Sequence, residues 1–117
     1  MRSFDRPGRS AAYGSRGMAA TSAPLATLAA VDTLRAGGNA ADAAVVASAV
    51  LCVVEPAMTG IGGDCFALIG APDGKVSGLN ASGRAAMAAD GDWLKASGLT
   101  SIPLRSIHAI TVPGAID

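Results

Sequence analysis

The chain has 117 residues, as many basic as acidic side chains, and hydrophobic residues at half of its positions. This length allows one domain at most, and the composition is typical of a globular protein and not of a disordered one. The net charge is zero and no basic stripe appears in the sequence, which removes the electrostatic footprint expected of a nucleic-acid-binding protein.

The first 17 residues contain four arginines among glycines and a proline, without an apolar run. This composition predicts an extended N-terminal arm over residues 1–17 and does not fit a secretory signal peptide. A cytoplasmic location is the expectation that follows. Residues 18–117 are expected to form the folded piece, beginning with a short strand over residues 18–21.

The first predicted helix spans about residues 24–36. Pro24 suits its first turn, where a backbone N–H is not needed, and Gly37 can adopt the left-handed conformation that closes a helix. Large apolar side chains recur at helical spacing and predict one apolar face, with the charged side chains pointing outward. The members of that face are Leu25, Leu28, Val31 and Leu34.

The second predicted helix follows Asn39 and ends at Val54. Asn39 can cap it by accepting a hydrogen bond from a backbone N–H of the first turn, and Asp42 stands where the acid of a capping box stands. Between Ala43 and Val54, only Ser48 is polar. A helix that is apolar on every face is expected to be buried on all sides, and this one is shorter than the roughly 20 residues of a membrane span. Further chain is therefore expected to contribute to the core around it.

A glycine loop over residues 59–64 is predicted to join this helix to a β-hairpin. Its strands are expected at residues 65–69 and 75–80, around a Pro-Asp-Gly turn. The loop glycines allow positive φ and a close approach of backbones. Two helices stacked on a hairpin-based antiparallel sheet predict the α+β class, with one sheet face left for other chain to cover.

The last third of the chain carries weaker patterns. A short helix is predicted over residues 90–95 with Asp90 as its cap and Trp93 packed inward, and a third strand over residues 107–112. His108, the single histidine, falls within that strand and is interpreted as structural.

The residues alone assemble no complete active site. Cys52 and Cys65 are interpreted as two buried thiols, with a disulfide as the less favoured alternative, and their spacing fits no metal site. Asp64 is expected to bond to nearby backbone N–H groups. A phosphate-binding function of the glycine loop is disfavoured, because the loop follows a helix and precedes a strand, the reverse of the dinucleotide-binding order.

Several motifs stand in one order along the chain. They are Gly17-Met-Ala-Ala-Thr-Ser, Leu34-Arg-Ala-Gly-Gly-Asn-Ala-Ala-Asp-Ala-Ala, Val54-Glu-Pro-Ala-Met-Thr-Gly-Ile-Gly-Gly-Asp-Cys-Phe and Thr111-Val-Pro-Gly-Ala. Together they closely resemble the start of the large subunit of the γ-glutamyltranspeptidases. The resemblance implies that residues 18–117 are an N-terminal fragment of an N-terminal nucleophile hydrolase, a four-layer αββα sandwich.

The resemblance also implies a chemistry. Members of this family cleave themselves into two subunits, and the new N-terminal threonine of the small subunit transfers or hydrolyses γ-glutamyl groups of glutathione-type donors. The family needs no metal or cofactor. No threonine of this chain stands in a context like the family's cleavage site, so the chain by itself is expected to have no catalytic residue and no activity.

One departure from the family concerns substrate binding. The family's large subunit grips the α-carboxylate of the glutamyl group with an arginine, commonly in Asn-x-Arg-Glu-x-Ala-Pro. Here the stretch is Asn80-Ala-Ser-Gly-Arg-Ala-Ala, so Ser82 stands at the position of that arginine and Arg84 follows two places later. Arg84 is the candidate substrate-binding residue, and a solvated loop arginine is the equal alternative.

Because a bidentate arginine clamp depends on its placement, the shifted arginine leaves other functions open. The protein could be an acylase-like or amidohydrolase relative with a different acyl group, or a structural or binding module without catalysis. The expected partners are a γ-glutamyl small molecule and the remainder of the chain's own polypeptide, with neither nucleic acid nor membrane.

Overall fold

The computed structural model describes residues 10–116. Most of the predicted arm, residues 1–9, therefore lies outside the described residues. The chain divides into two compact units, Met1–Ala47 and Ser48–Asp117. In the first unit, residues 18–21 form no strand, so that prediction is wrong. No strand among the described residues pairs with this stretch, because the only ladder joins two strands of the second unit.

Helix α1 spans Pro24–Arg35, close to the predicted bounds. Its buried side chains are Ala26 and Ala30, which lie one turn apart on the same face. By contrast, Leu25 and Leu28 are 60% and 54% exposed. The apolar periodicity identified the helix correctly, but two members of the predicted apolar face are exposed in this chain.

Helix α2 spans Ala40–Val54 and begins with the predicted capping box. The side-chain oxygen Oδ1 of Asn39 accepts hydrogen bonds from the backbone N–H groups of Ala41 and Asp42, at 2.8 and 3.1 Å. In return, Oδ2 of Asp42 accepts the backbone N–H of Asn39 at 2.8 Å. This reciprocal pair satisfies N–H groups that a helix start would otherwise leave unbonded.

Replacing Asn39 with alanine is expected to destabilise the folded protein by about 1 kcal/mol, because the first turn of α2 loses its side-chain acceptor. The midpoint of denaturant unfolding measures this effect. Asn39→Asp keeps an oxygen acceptor at the same position and is expected to unfold close to the wild-type midpoint. Equal midpoints for Asn39→Ala and the wild type would contradict a role of the cap in stability.

Burial of α2 on all sides was expected only with further chain around it, and within the described residues the helix is mostly exposed. Only Ala43 and Ala47 are buried, whereas Val45 and Val53 are 69% and 79% exposed. Apolar side chains exposed at this density mark a surface that other protein covers. Between residues 10 and 116, no helix is both long enough and apolar enough to cross a membrane.

The second unit contains the predicted hairpin. Strand β1, Cys65–Gly70, pairs antiparallel with strand β2, Val76–Ala81, and Cys65 lies opposite Ala81. Gly74 in the connecting turn has φ +83°, a conformation that glycine adopts without strain. The two helices and this hairpin confirm the α+β class.

Strand β1 is apolar along its length but largely accessible to solvent. Phe66 and Leu68 of β1 are 66% and 83% exposed. Cys52 and Cys65 are free thiols, and both are half-buried where full burial was predicted. No described residue of this unit forms a layer that encloses the apolar side chains of the hairpin.

Helix α3 spans Gly91–Ala96, and Asp90 caps it as predicted by accepting the N–H of Asp92. The third strand is absent, and that prediction is wrong. Ile107–Ala109 form one turn of 3₁₀ helix, and the backbone N–H groups that follow bond to loop carbonyls instead of a neighbouring strand. The alternation of apolar residues over this stretch is typical of a strand. Among the described residues, however, no neighbouring strand pairs with it.

Candidate functional site

Three loop segments of the second unit meet at one end of the hairpin, and we call them the loop junction: residues 60–64, 81–84 and 111–115. The first segment enters β1 and the second leaves β2, so strand pairing brings them to the same end. The third segment joins them through its backbone. The junction thus collects the glycine loop, the arginine stretch and the Thr-Val-Pro-Gly-Ala motif, which are far apart in sequence.

Backbone hydrogen bonds hold the third segment at two places. The N–H groups of Gly114 and Ala115 both donate to the carbonyl oxygen of Gly63, at 3.1 and 3.0 Å. The N–H of Val112 donates to the carbonyl oxygen of Arg84 at 2.8 Å. These bonds fix the backbone of Arg84 relative to the glycine loop.

Two glycines allow the segments of the junction to approach this closely. A Cβ atom on Gly83 would overlap the carbonyl oxygen of Val112 and lie 2.8 Å from Oγ1 of Thr111. A Cβ atom on the buried Gly114 would overlap the carbonyl oxygen of Ala81 and lie 2.5 Å from the backbone nitrogen of Gly83. Gly83 also has φ +64°, in the left-handed region. A larger residue at either position requires the backbone to move.

The glycines of the loop over residues 60–63 could adopt positive φ, but none of them does. Open space surrounds the position that a Cβ atom would take on Gly60 or Gly62. Gly63 closes a turn by donating its N–H to the carbonyl oxygen of Gly60 at 3.1 Å. Close approach of backbones in the junction occurs at Gly83 and Gly114.

Arg84 is the last residue of the second segment of the loop junction. Its backbone is held by a hydrogen bond, and its side chain is exposed. Its guanidinium forms no hydrogen bond or ion pair with any residue between 10 and 116, whereas Arg35, Lys75 and Lys95 each pair with an aspartate. A guanidinium without a partner can bind a carboxylate through two parallel N–H···O bonds. Ser82, at the position of the family's arginine, is also exposed.

A side-chain hydrogen bond joins the first and third segments of the junction. The hydroxyl of Thr111 donates to Oδ1 of Asp64 at 3.3 Å, across 47 positions of sequence. Asp64 was expected to bond to nearby N–H groups, and this distant hydroxyl is the partner that the sequence did not reveal. Both residues belong to family motifs, and this was the signal in the sequence that could have pointed to them.

His108 lies in the 3₁₀ turn and packs edge-on against Trp93, with ring centroids 5.6 Å apart and an angle of 68° between the rings. This contact agrees with the structural role that was predicted for it. In the described part of the chain, no cluster of three or more histidine, cysteine or acidic residues is arranged to hold a metal ion.

Comparison with known proteins gives a consistent result. The gamma-glutamyltranspeptidase family model matches residues 26–117. The chain is 46% identical over 106 residues to the glutathione hydrolase-like YwrD proenzyme of Bacillus subtilis, covering 89% of this chain and 20% of that protein. It is 42% identical over 103 residues to the oxamate amidohydrolase proenzyme of Klebsiella pneumoniae, covering 86% and 19%.

Solved structures agree with the sequence comparisons. The cephalosporin acylase of Bacillus halodurans matches with a TM-score of 0.85 and 46% identity, over 97% of this chain and 21% of that chain. The γ-glutamyltranspeptidase of Helicobacter pylori matches with a TM-score of 0.77 and 34% identity, over 91% and 31%.

These likenesses confirm the predicted fold, a partial α+β piece of an N-terminal nucleophile hydrolase sandwich. The chain spans about a fifth of the length of the curated relatives that it matches. Since the family model covers most of its length, the chain belongs to the γ-glutamyltranspeptidase family.

Proposed function

We propose that this chain is the N-terminal part of the large subunit of a self-cleaving proenzyme that hydrolyses or transfers γ-glutamyl groups of glutathione-type donors. Family membership supports this proposal, as do the relatives named as glutathione hydrolase proenzymes. The nucleophile would be the N-terminal threonine of the small subunit, in the remainder of the polypeptide. Its own α-amine would serve as the base that activates the hydroxyl.

The contribution of this chain, in the proposal, is to bind the donor's α-carboxylate through Arg84. The observation that carries this assignment is the exposed guanidinium without a partner, presented from the loop junction where three family motifs meet. Two parallel charge-assisted hydrogen bonds to one carboxylate fix its position and its orientation. A carboxylate held in this way would keep the donor bound throughout its reaction with the threonine hydroxyl.

A second function is supported by specific observations. Ser82 occupies the place of the family's arginine, and relatives of this chain include an oxamate amidohydrolase and an acylase. The cephalosporin acylase structure is 46% identical to the chain, against 34% for the transpeptidase of Helicobacter pylori. The alternative is therefore an amidohydrolase or acylase that uses the same threonine chemistry on a different acyl group.

Substrate choice separates the two functions in the full-length proenzyme. We expect the purified protein to cleave itself into two subunits and to release the aniline from a γ-glutamyl anilide, whereas residues 1–117 alone release none. Subunits are counted by mass spectrometry, and the aniline is followed by its absorbance. Turnover of oxamate or of an acylated cephalosporin, without turnover of the γ-glutamyl anilide, would establish the alternative. Absence of self-cleavage would contradict both functions.

A further inference from the structure

We propose that Thr111 and Asp64 are positioning residues that hold Arg84 in place for the substrate carboxylate. This inference rests on the function proposed above and adds to it the residues that position Arg84. It starts from the hydrogen bond that the Thr111 hydroxyl donates to Oδ1 of Asp64 at 3.3 Å. This bond joins the first and third segments of the loop junction. Neither side chain needs to touch the substrate to exert this effect.

Thr111 lies against the backbone that carries the arginine. A Cβ atom added to Gly83 would lie 2.8 Å from Oγ1 and 3.1 Å from Cβ of Thr111, so the threonine side chain lies directly against the backbone of Gly83. The next residue, Val112, donates its N–H to the carbonyl oxygen of Arg84 at 2.8 Å. The backbone on both sides of the Arg84 α-carbon is therefore in contact with residues 111–112.

The carboxylate of Asp64 holds the end of the third segment that lies next to Arg84. The far end of the third segment is held independently, because Gly114 and Ala115 both donate to the carbonyl oxygen of Gly63. Asp64 is the next residue of the same loop and holds the near end through its side chain. Loss of the hydroxyl–carboxylate bond would thus loosen the end that supports Arg84 and leave the other end attached.

The kinetic test uses Thr111→Val, which keeps the shape of the side chain and removes the hydroxyl. In the full-length proenzyme we expect the KM for a γ-glutamyl anilide to rise about three- to tenfold. This is the change that corresponds to the net free energy of one hydrogen bond. The kcat should stay unchanged, because Arg84 would hold the carboxylate equally in the ground state and the transition state. Thr111→Ser restores the hydroxyl and should restore the KM.

A matched control makes the same chemical change elsewhere. Thr33→Val removes the hydrogen bond from the Thr33 hydroxyl to the carbonyl oxygen of Ala29, at 2.9 Å within α1. We expect this variant to keep the wild-type KM. Asp64→Ala should reproduce Thr111→Val, and Asp64→Asn, which keeps an oxygen acceptor, should change the KM less. An Asp64→Asn variant as impaired as Asp64→Ala would mean that the charge itself acts on the substrate, which overturns the positioning role.

A double-mutant cycle separates this inference from the proposed function. If Thr111 acts through Arg84, Thr111→Val should raise the KM in the wild-type background and leave it unchanged in an Arg84→Ala background. An equal increase in both backgrounds would overturn the inference and leave the role of Arg84 intact. An Arg84→Ala variant with unchanged KM would refute the substrate-binding role proposed for Arg84.

Hydrogen exchange tests the positioning without substrate. The amide of Val112 should exchange faster in Thr111→Val than in Thr33→Val, because its bond to the Arg84 carbonyl opens more often. Unchanged exchange of this amide would overturn the positioning role whatever the enzyme acts on.

Discussion

Replacing Arg84 with alanine in the full-length proenzyme is expected to raise the KM for a γ-glutamyl anilide by about 10- to 100-fold, with little change in kcat. The expected size follows from the loss of charge-assisted hydrogen bonds to the carboxylate, about 1.5–3 kcal/mol in all. The change falls on KM because the carboxylate lies away from the reacting carbonyl and is bound equally throughout the reaction. Steady-state kinetics with the anilide measure both constants.

Two controls sharpen this prediction. Arg105→Ala removes a second exposed arginine of the same unit that lies outside the loop junction, and it should leave the KM unchanged. Arg84→Lys keeps the charge but not the planar fork of donors, so its KM should lie between those of the wild type and the alanine variant. An unchanged KM in Arg84→Ala would make Arg84 a solvated loop residue and would favour the acylase or amidohydrolase function.

Replacing Gly83 with alanine is expected to destabilise the protein by about 2–5 kcal/mol. The left-handed backbone at φ +64° costs a residue with a side chain about 1–2 kcal/mol, and forcing a methyl group against the Val112 carbonyl adds about 1–3 kcal/mol. The backbone can relieve the overlap only by moving Arg84 or Val112. Thermal unfolding and the fraction of protein that cleaves itself measure the effect, and the KM for the anilide should rise as well.

Gly78→Ala provides the matched control for this variant. A Cβ atom on Gly78, in β2, would lie 3.6 Å from a methyl carbon of Leu68, which is an ordinary van der Waals distance, and its φ is not positive. We expect this variant to melt like the wild type. A Gly83→Ala variant that also melts like the wild type would show that the loop junction tolerates a side chain at this position.

Elements whose causes are local could be predicted from the sequence. The capping box of α2 needs only two residues three positions apart, and Asn39 and Asp42 form it as predicted. The helices and the hairpin follow from periodicity, Pro24 and the Pro-Asp-Gly turn, and their observed bounds lie close to the predicted ones. Family motifs likewise identified the fold, because they combine several distant stretches.

Features that depend on distant partners could not be predicted in this way. The strand expected over residues 107–112 has the right alternation, but a strand also needs a neighbour, and the N–H of Val112 finds the Arg84 carbonyl instead. The surroundings of α2 could not be predicted for the same reason. Its pattern shows that the helix is apolar, but it does not show which residues cover it. In the candidate site, the sequence pointed to Arg84, whereas its contact with the Thr-Val-Pro-Gly-Ala segment required the structure.

The exposed valines of α2 and the open faces of the hairpin have a consequence for biosynthesis. A ribosome adds about 5–20 residues per second, and the curated relatives are about five times as long as the stretch matched here. In such a proenzyme, these apolar surfaces would leave the ribosome tens of seconds before synthesis of the residues that cover them is complete. During that interval the exposed apolar surfaces would be open to aggregation, so the rate of translation would affect the yield of folded protein.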